Sequence, residues 1–144
     1  MHRILVTGGA GFIGSNLVES LLKREDVALV RMLDDLSTGY WENVQEFLDH
    51  PKYEFLEGSI TDYSTVEKAL KDITRVSHQA AMGSVPRSIE NPIRTNNVNV
   101  NGTLNVLNAS KNFGIDRVVL AFSSSTYGDS AELPKVEEHI QKEI

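Results

Sequence analysis

The chain has 144 residues, 40% hydrophobic and 24% charged, with a formal net charge of −6. That suits one globular domain with a real core, and the negative balance argues against nucleic acid or an acidic membrane surface as a partner. Cysteine is absent, which removes disulfide frameworks and thiolate metal sites. No apolar run approaches a membrane span or a signal-peptide core, so a cytoplasmic protein without a resident metal is expected.

Ile4-Leu5-Val6 reads as a buried strand running into the turn Thr7-Gly8-Gly9. A helix is predicted over 12–24, with Ile13, Leu17, Val18, Leu21 and Leu22 at helical spacing. A second strand spans 27–33, and a loop spans 34–39. A short helix over 43–48 would turn Val44, Phe47 and Leu48 inward. A third strand covers 53–56, and Asp62 is placed to cap a helix bearing Val66, Ala69 and Leu70. The fourth strand, 74–80, is interrupted by Arg75 and Ser77, whereas a central parallel strand is normally almost all apolar. Pro86 and Pro92 mark an irregular stretch. A long helix over 98–113 would bury Val100, Leu104, Val106 and Leu107 and end at Gly114. A fifth strand over 117–122 leads into Ser123-Ser124-Ser125. Strands alternating with helices predict right-handed crossovers and a parallel sheet. The economical architecture is an α/β, Rossmann-type doubly wound sheet in strand order 3-2-1-4-5, with ligands beyond the carboxyl ends of the strands.

The first of those ends carries Gly8, Gly11 and Gly14 in the pattern G-x-x-G-x-x-G between strand and helix. Gly8 permits the sharp turn, Gly11 lets backbone approach a pyrophosphate, and Gly14 lets helix and sheet pack closely. The helix start adds free N–H groups and a partial positive charge. Asp34 lies twenty residues after Gly14, at the end of the second strand. A carboxylate there accepts both ribose hydroxyls of an adenosine and repels a 2′-phosphate. Asp35 adds to that repulsion, which favours NAD over NADP. Tyr40 and Trp41 are expected to pack the loop rather than bind a base.

The string from Val6 to Gly14 resembles the extended short-chain dehydrogenase/reductases, the NAD-dependent epimerase/dehydratase family. Four later segments agree in order and spacing: Asp34-Asp35-Leu36-Ser37-Thr38-Gly39, His78-Gln79-Ala80-Ala81, 97–103 around Asn99, and Ser123-Ser124-Ser125-Thr126-Tyr127-Gly128. Within that family, 83–88 and the serine string are similar to UDP-N-acetylglucosamine 4-epimerases and, more loosely, UDP-glucose 4-epimerases. The resemblance implies cofactor contacts from Gly8, Gly11, Phe12, Ile13, Gly14, Asp34, Asp35, Thr38, Gly39, Ser59, Ile60, Gln79, Ala80, Ala81 and Asn99. It implies substrate contacts from Ser84 and Ser124, and a hydroxyl at Ser123 that assists deprotonation of the sugar. Asn97 and Asn101 are alternatives to Asn99 if the register shifts. Arg87 has the charge to meet a UDP phosphate, although a surface ion pair is the commoner fate. His78 is expected to be a buried strand histidine satisfied by backbone.

The sequence departs from the family pattern in three places. Many relatives carry Asp where Ser59 stands, next to the adenine amino group, and the Ser59 hydroxyl can still accept a hydrogen bond. Ser77 replaces a bulky apolar residue, which is expected to cost core packing. The family base lies in Y-x-x-x-K beyond the serine strand, and none of Tyr40, Tyr53, Tyr63 and Tyr127 is followed by lysine four residues on. The expectation is therefore one dinucleotide-binding domain over 1–144, incomplete after about five strands. Alone it would be inactive, marginally folded and without the family's homodimer. A non-catalytic NAD-binding remnant and a nucleotide-sugar dehydratase or decarboxylase are the rival readings. Dehydratases usually carry Asp-Glu where Ser124-Ser125 stand, which disfavours the dehydratase.

Overall fold

The computed structural model describes residues 1–128 and 133–136. Five strands, β1 (His2–Thr7), β2 (Val27–Asp34), β3 (Tyr53–Glu57), β4 (Arg75–His78) and β5 (Arg117–Leu120), form one parallel sheet in the expected order β3-β2-β1-β4-β5. β1 is central because both its edges are paired: Val6 is in register with Met32 of β2 and with Ser77 of β4. The helices are α1 (Phe12–Leu22), α2 (Glu42–Gln45), α3 (Tyr63–Leu70), α4 (Val85–Glu90), α5 (Pro92–Asn96) and α6 (Thr103–Asn112). A π-helical turn, Asn97–Gly102, runs into α6, and a 3₁₀ turn spans Ser124–Tyr127.

Side chains alternate across a strand, so each buried strand feeds two cores. Ile4, Val6, Val30 and Met32 pack with Val18, Leu22, Val44 and Phe47 beneath α1 and α2. Leu5, Leu29, Leu33 and Val76 pack with Val66, Leu70, Val106 and Ala109 beneath α3 and α6. Each fully buried Leu or Val contributes about 1.5–3 kcal/mol. Asp62 caps α3 as predicted, accepting from the Ser64 N–H at 3.0 Å.

Several expectations are corrected. Leu48 is exposed, because α2 ends at Gln45 and the chain then turns. The stretch around Pro86 and Pro92 is two short helices rather than irregular chain. Each proline sits in a first turn, where a missing N–H costs nothing, and Ser84 and Asn91 supply the caps. The largest correction concerns 98–113. Val106 is buried, but Val100, Leu104 and Leu107 point outward, while Gly102, Ala109 and Ser110 face the sheet. The inward face follows one helical period through Val98, Gly102, Val106 and Ala109, so small residues rather than the large apolar ones mark it, and Val100, Leu104 and Leu107 share the opposite face. Ser77 is half-buried, and its Oγ accepts from Gln79 Nε2 at 2.9 Å.

Candidate functional site

A cleft opens at the carboxyl ends of β1, β2 and β4. Its lining includes Gly8 and Gly11 from the first turn, Asp34 at the end of β2 with Asp35, Thr38 and Gly39 after it, Ser59 and Ile60 after β3, and Gln79, Ala80 and Ala81 after β4. The three glycines of the G-x-x-G-x-x-G pattern are not equivalent. Gly8 has φ +70°, and a Cβ there would lie 2.5 Å from the Ala80 nitrogen. A Cβ on Gly14 would run into the Gly8 carbonyl oxygen. The fold itself demands both. Gly11 is different: its φ is −79°, and a Cβ would meet nothing nearer than the Gly8 oxygen at 3.4 Å. Gly11 is also the N-cap of α1, with no side chain capping the helix. The first N–H groups of α1 therefore open toward a bare backbone surface with the polarity of an anion site.

Asp34 joins two rims of the cleft, the glycine turn and the loop after β2. Its Oδ2 accepts from the Ala10 N–H at 2.9 Å and its Oδ1 from the Leu36 N–H at 2.9 Å. Burial pushes its carboxyl above the ordinary range, the Leu36 and Ala10 N–H groups pull it back, and the Asp35 charge adds to the rise. Burial also acts to raise Asp35. The Ser37 hydroxyl and N–H, the Ser59 hydroxyl and the charge of Arg94 outweigh it, and the Asp35 carboxyl lies below its ordinary value. Two carboxylates of this kind suit neutral hydroxyls and repel a phosphate.

On the other side of β1, His78 is buried at the end of β4. Its Nδ1 pairs with Thr7 Oγ1 at 2.6 Å and its Nε2 with Thr103 Oγ1 at 3.0 Å. Two threonine hydroxyls satisfy the ring, not backbone as the sequence suggested. Thr7 Oγ1 also accepts from the Ala80 N–H at 3.3 Å. Desolvation pushes the imidazole down to about 4, so it is neutral near pH 7. Asn99, in the π turn, grips the next stretch: its Oδ1 accepts from Met82 N at 2.7 Å and its Nδ2 donates to Met82 O at 3.1 Å.

Residues 5–143 match the sequence profile of the GDP-mannose 4,6 dehydratase family. The chain belongs to this family. Its fold is that of a UDP-glucose 4-epimerase of Thermus thermophilus solved with NAD, 41% identical, with a TM-score of 0.80 over 96% of this chain and 43% of that one. It is similar also to a dTDP-glucose 4,6-dehydratase of Streptomyces venezuelae solved with NAD, 33% identical, TM-score 0.83, over 90% and 42%. UDP-glucuronic acid decarboxylase 2 of Arabidopsis thaliana is 38% identical over 94% of this chain and 28% of that protein. The chain thus spans less than half the length of each of these relatives.

Within the family frame, most of the expected cofactor residues converge on the cleft. Four do not line it. Phe12 and Ile13 stand 83% and 65% exposed at the start of α1. Gly14 acts by packing against Gly8, and Asn99 by holding Met82. Ser84, at φ 114°, caps α4 outside the cleft. Ser123 is exposed beyond β5, and its carbonyl accepts from the Thr126 N–H at 3.1 Å. Ser124 lies in the 3₁₀ turn, and its side chain is outside the described residues. The sequence reading missed Leu33, Ser37, Gly58, Met82 and Val98 as lining residues. Leu33, Gly58, Met82 and Val98 contribute shape rather than chemistry, so composition offered no signal. Ser37 lies inside the quoted 34–39 string and was recoverable from it. Among the described residues no three His, Asp or Glu gather into a metal site, and no helix is long and apolar enough to cross a membrane.

Proposed function

We propose that residues 1–144 form the NAD-binding domain of a nucleotide-sugar 4-epimerase acting on a UDP-N-acetylhexosamine or UDP-hexose. The observation that carries the cofactor reading is Gly11: nothing in the fold requires glycine there, and backbone approach by a pyrophosphate does. The α1 N–H groups would bind that pyrophosphate. Asp34 and Asp35 would take the adenosine ribose through their remaining lone pairs and disfavour a 2′-phosphate. NAD, when bound, accepts and returns the hydride of sugar C4. Gln79, Ala80 and Ala81 would hold the nicotinamide half, on the backbone that Thr7 and His78 fix. Ser123 would hydrogen-bond the sugar hydroxyl as its proton leaves. Tyr53 is no candidate for the base: burial, aided by the Asp34 charge, pushes its phenol well above its ordinary value, and its hydroxyl donates to Met32 Sδ at 3.2 Å. None of the four tyrosines is followed by lysine four residues on, so the reading draws its base from outside residues 1–144, and this chain alone would not turn over.

Ser124-Ser125, in place of the dehydratases' Asp-Glu, supports epimerisation over dehydration. The test is to incubate the full-length protein carrying this chain with UDP-N-acetylglucosamine, UDP-glucose and UDP-glucuronic acid in turn, and to resolve the products. Interconversion to the C4 epimer of either of the first two is expected. Loss of water or of carbon dioxide instead would replace the epimerase reading with the dehydratase or decarboxylase one.

A further inference from the structure

The chain between β3 and α3 forms one wall of the cleft through Gly58, Ser59 and Ile60. Its backbone is tied at Gly58 N to Asp34 O, 3.0 Å, and at Asp62 N to Ser59 O, 3.1 Å. Between those ties two carbonyls, of Ile60 and Thr61, point at α6. There the half-buried Asn105 donates Nδ2 to Ile60 O at 3.0 Å and to Thr61 O at 3.2 Å. One turn earlier, Gly102 lies against the same residue: a Cβ on it would come within 2.6 Å of Ile60 Cδ1. Ile60 is itself buried. An amide –NH₂ carries two hydrogens, and here both have a converging acceptor. Asn108 and Asn112, further along the helix, donate instead to Tyr63 Oη at 3.2 and 3.0 Å, on α3 rather than in the loop.

We propose that Asn105 is a positioning residue for the adenosine end of the dinucleotide: by gripping the Ile60 and Thr61 carbonyls, it holds the wall against which the adenosine rests. This rests on the NAD-binding reading above. It separates two tasks of one helical segment, since Asn99 fixes the Met82 stretch on the β4 side of the cleft while Asn105 fixes the β3 side. Exchange of the amide for an isosteric carboxylate would leave two carbonyls facing an acceptor and release the loop.

The experiment titrates NAD, ADP and inorganic pyrophosphate into the full-length protein and into its Asn105→Asp and Asn108→Asp variants, with thermal midpoints recorded alongside. Asn105→Asp is expected to weaken NAD and ADP by the same factor, about 10-fold, the scale of one buried hydrogen bond lost and its acceptors left unsatisfied. Pyrophosphate, which engages only the glycine turn, keeps its affinity. Asn108→Asp leaves all three unchanged. Should Asn105→Asp fail to fold, Asn105→Ala carries the same expectation with the loop carbonyls left to water. Unchanged ADP binding in the Asn105 variant overturns the proposal. So does a pyrophosphate affinity that falls in step with ADP, or an Asn108 variant that behaves like the Asn105 one, since either result makes the effect merely structural. Absence of NAD binding in the unsubstituted protein removes the cofactor reading itself, and the proposal with it.

Discussion

The two sides of the cleft are built differently. On the β2 side, recognition is locked inside the fold: both Asp34 oxygens are engaged by N–H groups of the two rims, and β2 is buried along most of its length. On the β4–β5 side, α4 and α5 bury none of their residues, and Val85, Ile89, Ile93, Val100, Leu104, Val119 and Phe122 are exposed. His78 sits at the seam, tied to Thr7 on one side and to Thr103 on the other. The contrast implies that cofactor affinity is a property of the buried frame around the cleft, with Asn99 and Asn105 bracing it from the helical segment, and under the proposed function the sugar would meet the exposed β4–β5 side.

The largest effect should come from separating the glycines of the β2 side. Gly14→Ala places a methyl group into the Gly8 carbonyl and should cost more than about 4 kcal/mol, seen as loss of a cooperative thermal transition. Gly11→Val should keep a transition within about 1 kcal/mol of the parent and abolish NAD binding. Equal loss of stability in both would mean that Gly11 too is demanded by the fold, and would remove the argument for a ligand there.

That distinction was only partly legible in the sequence. The strand order, the cleft and the G-x-x-G-x-x-G turn follow from period, spacing and punctuation, because the segments concerned pack against one another within this chain. What each glycine is for required the Cβ directions. The outward face of 98–113 was misread because its large apolar residues, Val100, Leu104 and Leu107, outweigh in a hydrophobicity pattern the small residues Gly102, Ala109 and Ser110 that face the sheet. The partners of His78 lie 71 and 25 residues away along the chain, in β1 and α6, beyond any local signal.

Asp34→Ala is next in size. Two N–H groups, one of them at buried Ala10, lose their acceptor, which should cost about 3 kcal/mol of stability. The charge-assisted bonds to ribose vanish as well, so NAD affinity should fall by at least about 100-fold and the preference over NADP should narrow. Denaturant melts and parallel titrations of both cofactors check the two parts separately. Lost affinity with intact stability would mean that Asp34 does not join the rims.

His78 gives a pH-dependent effect at the seam, comparable in stability but without the loss of NAD affinity expected for Asp34→Ala. Its folded-state pKa, about 4, is below the unfolded value near 6.5. As pH falls through that window the unfolded chain takes up a proton that the native ring refuses, so stability drops with acid. The full contribution is about 3 kcal/mol, present above pH 6.5 and lost as pH approaches 4. The difference in unfolding free energy between parent and His78→Gln, followed from pH 7 to pH 4.5, should narrow across the window. A constant difference would show that the ring is not held neutral between the two threonines.

The most direct test of the account is a calorimetric titration of NAD and of NADP into the full-length protein that carries this chain. Two carboxylates at the end of β2 and an open glycine turn predict that NAD binds and that NADP is weaker by at least about 10-fold, the scale of one unfavourable charge contact. No binding of either dinucleotide, or NADP binding as tight as NAD, would contradict it.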